Sequence, residues 1–471
     1  MNQDTDNGLR EDARPDDDNR LDAGTRSDDG LRPDGALRSD GALRPDGGIR
    51  GGLLRRHRDF RLLWCGETAG KFGASVTGVT MPLIAVTTLH ATTFQVGLLT
   101  AATWLPWLII GLPVGVWVDR LRRRPIMLIA AAVSLVLYVS IPVAAWSGAL
   151  SIGLLLAVAL LTGTAVVFFQ TAYTAYLPSI LAPADQPEGN AKLHGSASAA
   201  QIAGLGSGGL IAQLAGAVNG MFANAATFLV SLLCLSGIRH REPRAVRTER
   251  PPRALVQEVG EGLRLATRDP WIRSLTLFGA TSNLALMGFQ SILVVFLVRE
   301  VGVGSGTVGA LIAAAGSGGV AGAFAARRVA ARVGTARATL LFELGFAVFA
   351  LFIPLTVGGA GMLLYVAGGF CVSAGVVAGN VIKAGFQQSY CPPELLGRLT
   401  ASTSFINFGT IPLGALLGGT LGTVLGLRAA MWITTAGVPL AGLILVFSPV
   451  RSARDLPTSP LPGTRSAALP H

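Results

Sequence analysis

The stretch Gly111–Pro125 has the sequence GLPVGVWVDRLRRRP, and it separates two long apolar runs. The first run ends here in one acid and four arginines, and the second run starts after the proline. Each run is long enough to cross a bilayer as a helix. The stretch is therefore predicted to be a short basic turn between two membrane-spanning helices.

The composition of the whole chain is typical of a polytopic membrane protein. Of the 471 residues, 51% are hydrophobic and 14% are charged, whereas about a quarter of the residues in a soluble domain are charged. The net charge of +11 does not indicate a nucleic-acid partner, because the basic residues lie in short turns between apolar runs. The four scattered cysteines lack metal-ligand spacing, so neither a metal nor a cofactor is expected.

Twelve apolar runs are predicted to cross the membrane as α-helices, which makes the chain an all-α polytopic membrane protein. In hydrocarbon only helices and closed barrels satisfy the backbone, and these runs lack the alternation of barrel strands. Each run is near or above the roughly 20 residues that one crossing needs. The predicted limits are 61–88, 94–117, 125–146, 150–175, 194–216, 218–238, 273–298, 305–326, 335–357, 360–385, 399–425 and 428–448.

Arginine and lysine are concentrated in alternate connections between these runs. The intervening connections hold only Arg299 and Arg428 as basic residues. By the positive-inside rule, both termini and the 239–272 connection are predicted to be cytoplasmic, with the protein in the inner or plasma membrane.

Five regions are predicted along the chain. Residues 1–56 form an acidic tail with too little apolar surface to fold, and a regulatory role for it stays open. Two six-helix bundles follow, at 57–238 and 273–450. The linker 239–272 between them contains an apolar-sided segment that could form a helix on the membrane surface. Residues 451–471 form a second disordered tail.

The two halves have the pattern of a duplicated six-helix unit. Landmarks in the first half recur in the second half at an offset of 207 to 210 residues. Parallel repeats of this kind build transporters that hold their substrate between the halves, near the middle of the membrane. The recurring pairs are Gly115 and Gly322, Pro183 and Pro392, and Gly209 and Gly419.

The basic turn resembles the signature loop between helices 2 and 3 of the major facilitator superfamily, whose usual form is Gly-x-Leu-Ala-Asp-Arg-x-Gly-Arg-Arg/Lys. The residues that match are Gly115, Asp119, Arg120, Arg123 and Arg124. Three further segments are similar to the macrolide-efflux and enterobactin-exporter branch of that superfamily. They are Phe168–Pro178, Phe222–Ser231 and Pro392–Arg398.

The resemblance implies a secondary transporter, not an enzyme. It implies efflux of a small amphipathic molecule, such as a drug, macrolide or siderophore, by alternating access. The expected drive is the proton motive force, with membrane lipid and protons as partners and a monomer as the working unit. Arg122 replaces the second glycine of the signature, and the fourth span lacks the arginine of classical drug–proton antiporters. An importer of the same fold and a non-transporting membrane scaffold remain alternatives.

Ionisable residues inside the predicted spans are candidates for binding substrate or protons, because charge in the membrane is costly. Glu67 and Lys71 are four residues apart, so they share a helix face and can neutralise each other. They could form a cleft-lining pair that changes during transport, or a static pair. Lys383 lies close to a basic turn and is expected to extend towards the membrane interface. Glu343 falls in the ninth span, which the resemblance makes peripheral.

Neutral polar and aromatic residues of the predicted cleft helices complete the candidate site. Each amide could bind a ligand or a neighbouring helix. The amides are Gln170, Gln201, Asn283, Gln290, Asn380 and Asn407, and the aromatic residues are Trp104, Trp107, Phe168 and Phe169.

Overall fold

A computed structural model describes residues 53–240, 263–264 and 267–458 of the chain. The regular elements in these residues are all helical. The predicted N-terminal tail up to residue 52 and most of the apolar-sided segment of the linker lie outside the described residues.

Twelve long helical segments, here called α1 to α12, run through the described residues. Two of them are irregular: α8 is interrupted at Ser317, and α9 passes from an α-helix through a π-helical turn, Leu341–Gly345, into a 3-10 helix. The segments are α1 (Arg58–Leu83, continuing to Thr88), α2 (Thr93–Arg120), α3 (Arg123–Trp146), α4 (Ile152–Ile180), α5 (Gln186–Ala215), α6 (Ala217–Ser236), α7 (Pro270–Arg299), α8 (Ser305–Gly316 and Gly318–Val333), α9 (Thr335–Leu355), α10 (Met362–Tyr390), α11 (Pro393–Val424) and α12 (Leu427–Val446).

Eleven of these segments are long and apolar enough to cross a membrane, and α5 is the exception among the described helices. Its first turns contain Glu188, Lys192 and His194, so the helix begins eight residues before its predicted apolar run. Several helices likewise extend beyond the predicted limits at the end that carries the basic turns. This end is called the basic face, and the other end the opposite face.

Local sequence explains where the helices begin and end on the opposite face. Thr92 caps α2, because its hydroxyl accepts a hydrogen bond from Gln95 N while the Gln95 side chain accepts one from Thr92 N. The turns after α5 and α11 contain Gly216 and Gly426, with φ of 82° and 88°. Glycine adopts this left-handed conformation without the steric cost that other residues have.

The helix pairs that pack together in the first half recur in the second half. In the first half, α1 packs on α5 and α6, α3 packs on α4 and α6, and α2 packs on α4. In the second half, α7 packs on α11 and α12, α9 packs on α10 and α12, and α8 packs on α10. The predicted fold class, twelve helices arranged as two six-helix repeats, is therefore confirmed.

The two halves meet through α2 with α11 and through α5 with α8. Both crossings are made by glycines. A Cβ atom on Gly97 would lie 2.8 Å from Gly419 Cα, and one on Gly209 would lie 2.5 Å from Gly309 Cα. Any larger side chain would therefore separate these helices. Because Gly97 and Gly209 both lie towards the opposite face, the halves are closed together there.

Candidate functional site

The first candidate site lies on α1, where Glu67 and Lys71 are one turn apart. Lys71 Nζ is 3.4 Å from Glu67 Oε1, and Gln170 Nε2 of α4 donates to the same oxygen over 3.4 Å. The carboxylate is buried, whereas 39% of the Lys71 side chain is exposed. The structure thus brings together three of the predicted site residues around one buried carboxylate.

A pocket of about 630 Å³ lies on the other side of α1, between α1, α5 and α6. Its walls are mainly apolar, and Thr68 and Ser196 add hydroxyl groups that hydrogen-bond each other over 2.9 Å. Other lining residues are Trp64, Cys65, Phe72 and Val230. Because these residues are on a different face of α1 from Glu67, the pocket is separate from the ion pair.

Asn283 and Asn407 are also brought together, but as a contact between helices. Asn283 Nδ2 of α7 donates to the Asn407 backbone oxygen of α11 over 3.3 Å. The Asn407 amide donates to the Thr403 oxygen of its own helix over 2.7 Å, and its oxygen lies against Gly279. Such bonds between helices stabilise packing in membranes. The remaining predicted amides, Gln201, Gln290 and Asn380, have exposed side chains.

Lys383 does not extend to the interface as expected from the sequence. Its ammonium lies 2.8 Å from Glu343 Oε1 of α9 and 5.0 Å from the centre of the Phe278 ring of α7. The Lys383 side chain is 19% exposed and that of Glu343 is 4% exposed. The partner of Lys383 is therefore Glu343, an acid that the sequence alone does not pair with any candidate residue. No signal in the sequence pairs two residues that are forty positions apart.

The basic turn is shorter than its sequence signature. α2 continues through Gly115 to Arg120, and α3 starts at Arg123, so only two residues join the helices. Arg124 donates from Nε to Leu235 O over 3.2 Å and from Nη2 to Ser236 O over 2.6 Å. These carbonyls end α6 of the same half, where a cation is favourable. The gating role of the signature stays a prediction.

The predicted aromatic residues divide into two groups. Trp104 and Trp107 of α2 contact Phe408 of α11, with ring centres 6.2 Å and 5.6 Å apart, so they contribute to the crossing between the halves. Phe168 instead stacks on Trp117 at 6.1 Å, inside the first half. Phe169 likewise stacks on Tyr173 of its own helix.

The sequence matches the model of the Major Facilitator Superfamily over residues 63–411. Among curated proteins, it is similar to the multidrug efflux pump Tap of Mycolicibacterium fortuitum, with 28% identity over 417 residues, which cover 85% of this chain and 97% of that protein. The Tap pump of Mycobacterium tuberculosis (strain ATCC 25618 / H37Rv) is also 28% identical, over 375 residues that cover 77% of this chain and 87% of the pump.

Solved structures show the same fold at lower identity. The nucleoside transporter NupG superposes with a TM-score of 0.70 at 10% identity, covering 83% of this chain and 99% of NupG. A bacterial homologue of the iron transporter ferroportin, in its inward-facing state, superposes with a TM-score of 0.69 at 15% identity, covering 84% and 99% of the two chains.

Proposed function

Because this chain belongs to the major facilitator superfamily, we propose that it exports a small amphipathic organic molecule by alternating access, driven by the proton motive force. Similarity to the Tap multidrug efflux pumps supports the export direction and the class of substrate. The basic face is proposed to be cytoplasmic, which the positive-inside rule supports. Residues 57–238 and 273–450 are proposed to be the two bodies that rock against each other around the substrate.

The observation that carries the proposal is where the two halves touch. On the opposite face, the halves touch at the glycine crossings of Gly97 and Gly209. They are also connected there by a hydrogen bond, which Arg299 Nη2 donates to Ala91 O over 2.7 Å. A further hydrogen bond joins the halves on the opposite face, from Phe94 N to Thr423 Oγ1 over 3.0 Å. Closure at one face is a feature of one end state of alternating access. With the opposite face closed, substrate would enter from the basic face, which is proposed to be cytoplasmic.

Substrate recognition is assigned to Glu67, Lys71 and Gln170. A buried carboxylate with a partly exposed ammonium can exchange its partner for a basic group of the substrate, because the two charges are held within one helix face. The exposed amides Gln201, Gln290 and Asn380 would supply further hydrogen bonds within mainly apolar walls.

The test is transport by the purified protein in proteoliposomes of defined orientation. A panel of fluorescent amphipathic cations, macrolides and siderophores would be offered with and without an acidic lumen. Vesicles whose basic face is outside should accumulate substrate when the lumen is acidic. Glu67→Gln should lower the affinity for cationic substrates, whereas Glu300→Gln, on the opposite face, should not.

Three results would contradict parts of the proposal. Accumulation only in vesicles of the other orientation would identify an importer. Equal transport with and without the pH gradient would exclude the proton drive. Absence of flux for the whole panel, with the protein correctly folded, would favour the scaffold.

A further inference from the structure

Glu343 and Lys383 form an ion pair inside the second half, whereas Glu67, Lys71 and Gln170 of the proposed substrate site belong to the first half. The pair joins α9 to α10 over 2.8 Å. We propose that Glu343 is the carboxylate that binds and releases the coupling proton, and that Lys383 is its charge partner. This inference rests on the proposed proton-driven export and names the site where the proton would bind.

The surroundings of Glu343 are shaped to hold its carboxylate between helices. Gly379 of α10 leaves the space that the carboxylate enters, since a Cβ atom at that position would coincide with Glu343 Oε1. The π-helical turn Leu341–Gly345 lies within α9 at this level. Such turns are rare and often occur at functional sites. A cavity of about 10 Å³ beside the carboxylate leaves little room for rearrangement in the present state.

Lys383 is the charged group among the described residues that line this carboxylate. From α7 the neighbour in the cavity is Ser282, from α10 Val372 and Val376, and from α12 Val438. All four are uncharged and not titratable in the physiological range. The charge state of Glu343 therefore depends on two opposing influences, the ammonium of Lys383 and the apolar side chains around the carboxylate.

The fold itself does not require an ion pair at this place. In the first half, α3 and α4 pack together as α9 and α10 do in the second half. The corresponding part of α3, residues 125–146, and the whole of α4 contain no charged residue. A buried ion pair is often no more stabilising than apolar residues of similar volume. The charge at Glu343 and Lys383 is therefore better explained by a function than by helix packing.

In the proposed step, one proton adds to the Glu343 carboxylate and gives a neutral carboxylic acid. Lys383 stays an ammonium and loses its counter-ion, and no other bond changes. An isolated ammonium is costly in hydrocarbon, so Lys383 would turn towards the exposed side of α10, on which Asn380 and Ala384 lie. Because the pair joins two helices, its loss would release α10 from α9 and bias the movement of the halves.

The direct test compares Glu343→Gln with Glu300→Gln in proteoliposomes. Glu300 pairs loosely with Arg428 at 3.9 Å on the opposite face of the same half, and both side chains are well exposed. With one proton exchanged per substrate, a gradient of about one pH unit sustains roughly a tenfold substrate gradient. Glu343→Gln should lose this accumulation while equilibrium binding of the substrate is kept, and Glu300→Gln should retain it.

The outcomes separate this inference from the proposed function. If the unaltered protein does not respond to the pH gradient, the proton drive itself is wrong. If the unaltered protein responds and Glu343→Gln responds equally, only the assignment of Glu343 is wrong. If Glu343→Gln loses substrate binding together with accumulation, the residue has a structural role and the assignment is overturned.

A second measurement needs no variant. A hydrophobic carbodiimide reacts with protonated carboxylic acids, and mass spectrometry can locate the modified peptide. Modification of Glu343 in the folded protein should increase as the pH is lowered. Modification that is absent or independent of pH would overturn the inference even if Glu343→Gln fails to fold.

Discussion

Among the residues that the structure describes, an acid–base pair lies inside the membrane-spanning helices of each half, and the two pairs are built differently. Glu67 and Lys71 belong to one helix, lie 3.4 Å apart and leave 39% of the lysine side chain exposed. Glu343 and Lys383 belong to two helices, lie 2.8 Å apart and are both largely enclosed.

The difference determines what each pair can do. A pair within one helix can open and close without moving the backbone, which suits contact with a variable ligand. A pair between two helices cannot change its charge without altering how those helices attract each other. The first arrangement is therefore suited to binding, and the second to coupling a proton to a movement.

The largest effect is expected when one partner of the enclosed pair is removed. Lys383→Met should lower the free energy of unfolding by about 3–5 kcal/mol, because it leaves an acid buried without its counter-ion. Lys71→Met should cost less, about 1–3 kcal/mol, because the buried Glu67 carboxylate keeps the hydrogen bond from Gln170 and the lost ammonium is partly exposed. Thermal unfolding of both proteins in the same detergent would measure the difference.

The double variant Glu343→Gln/Lys383→Met serves as the control for this comparison. It removes both charges, so it should recover much of the stability that Lys383→Met loses. Equal losses for Lys383→Met and Lys71→Met would mean that the two pairs are equivalent.

A smaller effect is expected at the glycine crossings between the halves. Gly209→Ala places a methyl group 2.5 Å from Gly309 Cα, and the helices must separate to admit it. Overpacking of this kind costs about 1–3 kcal/mol, which here would destabilise only the state closed at the opposite face. Transport should fall, and a cysteine placed near that face should react faster with a membrane-impermeant thiol reagent.

Gly195→Ala is the matched control in the same helix. Apart from the backbone of its own helix, no described atom lies within 4 Å of its side-chain position, so transport and thiol reactivity should stay near the unaltered values. If both substitutions have the same effect, the crossing does not close the opposite face.

The twelve helices could be predicted from the sequence because each apolar run specifies its own crossing. The Glu67–Lys71 pair could also be predicted, since residues four apart on a helix are neighbours. The repeat was visible because both halves keep glycines at matching positions, and Gly209 and Gly419 each lie at a crossing between the halves.

The pair of Glu343 and Lys383 could not be predicted, because its geometry depends on how α9 packs on α10. The π-helical turn Leu341–Gly345 adds to the difficulty. One extra residue in a turn rotates the following side chains by about 100° relative to a regular α-helix. Helical spacing alone therefore misplaces the residues that follow the turn. Without the packing of α9 on α10, Lys383 lacks a partner and is expected at the interface.

The basic turn and its copy in the second half differ in charge, which gives a third prediction. Ala326 stands near the position that corresponds to Asp119, and it is fully buried. The acid is thus present in the first turn and replaced by alanine in its copy, so the copy cannot substitute for it. Asp119→Asn should weaken closure of the basic face and lower transport severalfold, with unchanged abundance. Asp185→Asn is a control, because Asp185 lies outside the signature and pairs with Arg56 at 3.6 Å and His57 at 3.4 Å. Normal transport by Asp119→Asn would exclude the gating role.

The smallest effect concerns how the two turns are held. The α2–α3 turn is fixed by Arg124 to the end of α6, whereas the α8–α9 turn is fixed by the segment after α12. There Asp455 Oδ1 accepts from Thr335 N over 2.9 Å, and Leu456 N donates to the Thr335 hydroxyl over 2.8 Å. Part of the predicted C-terminal tail is thus attached to the helices.

Asp455→Ala should cost about 0.5–1 kcal/mol, because water can replace an exposed acceptor at a helix start. Arg124→Ala should cost a similar amount, about 1 kcal/mol, through the carbonyls that end α6. Hydrogen exchange would separate the two variants. Asp455→Ala should speed exchange at residues 335–337 and leave the end of α6 unchanged, and Arg124→Ala should do the reverse. Faster exchange at both turns in either variant would mean that the halves are coupled through the basic face in the state described here.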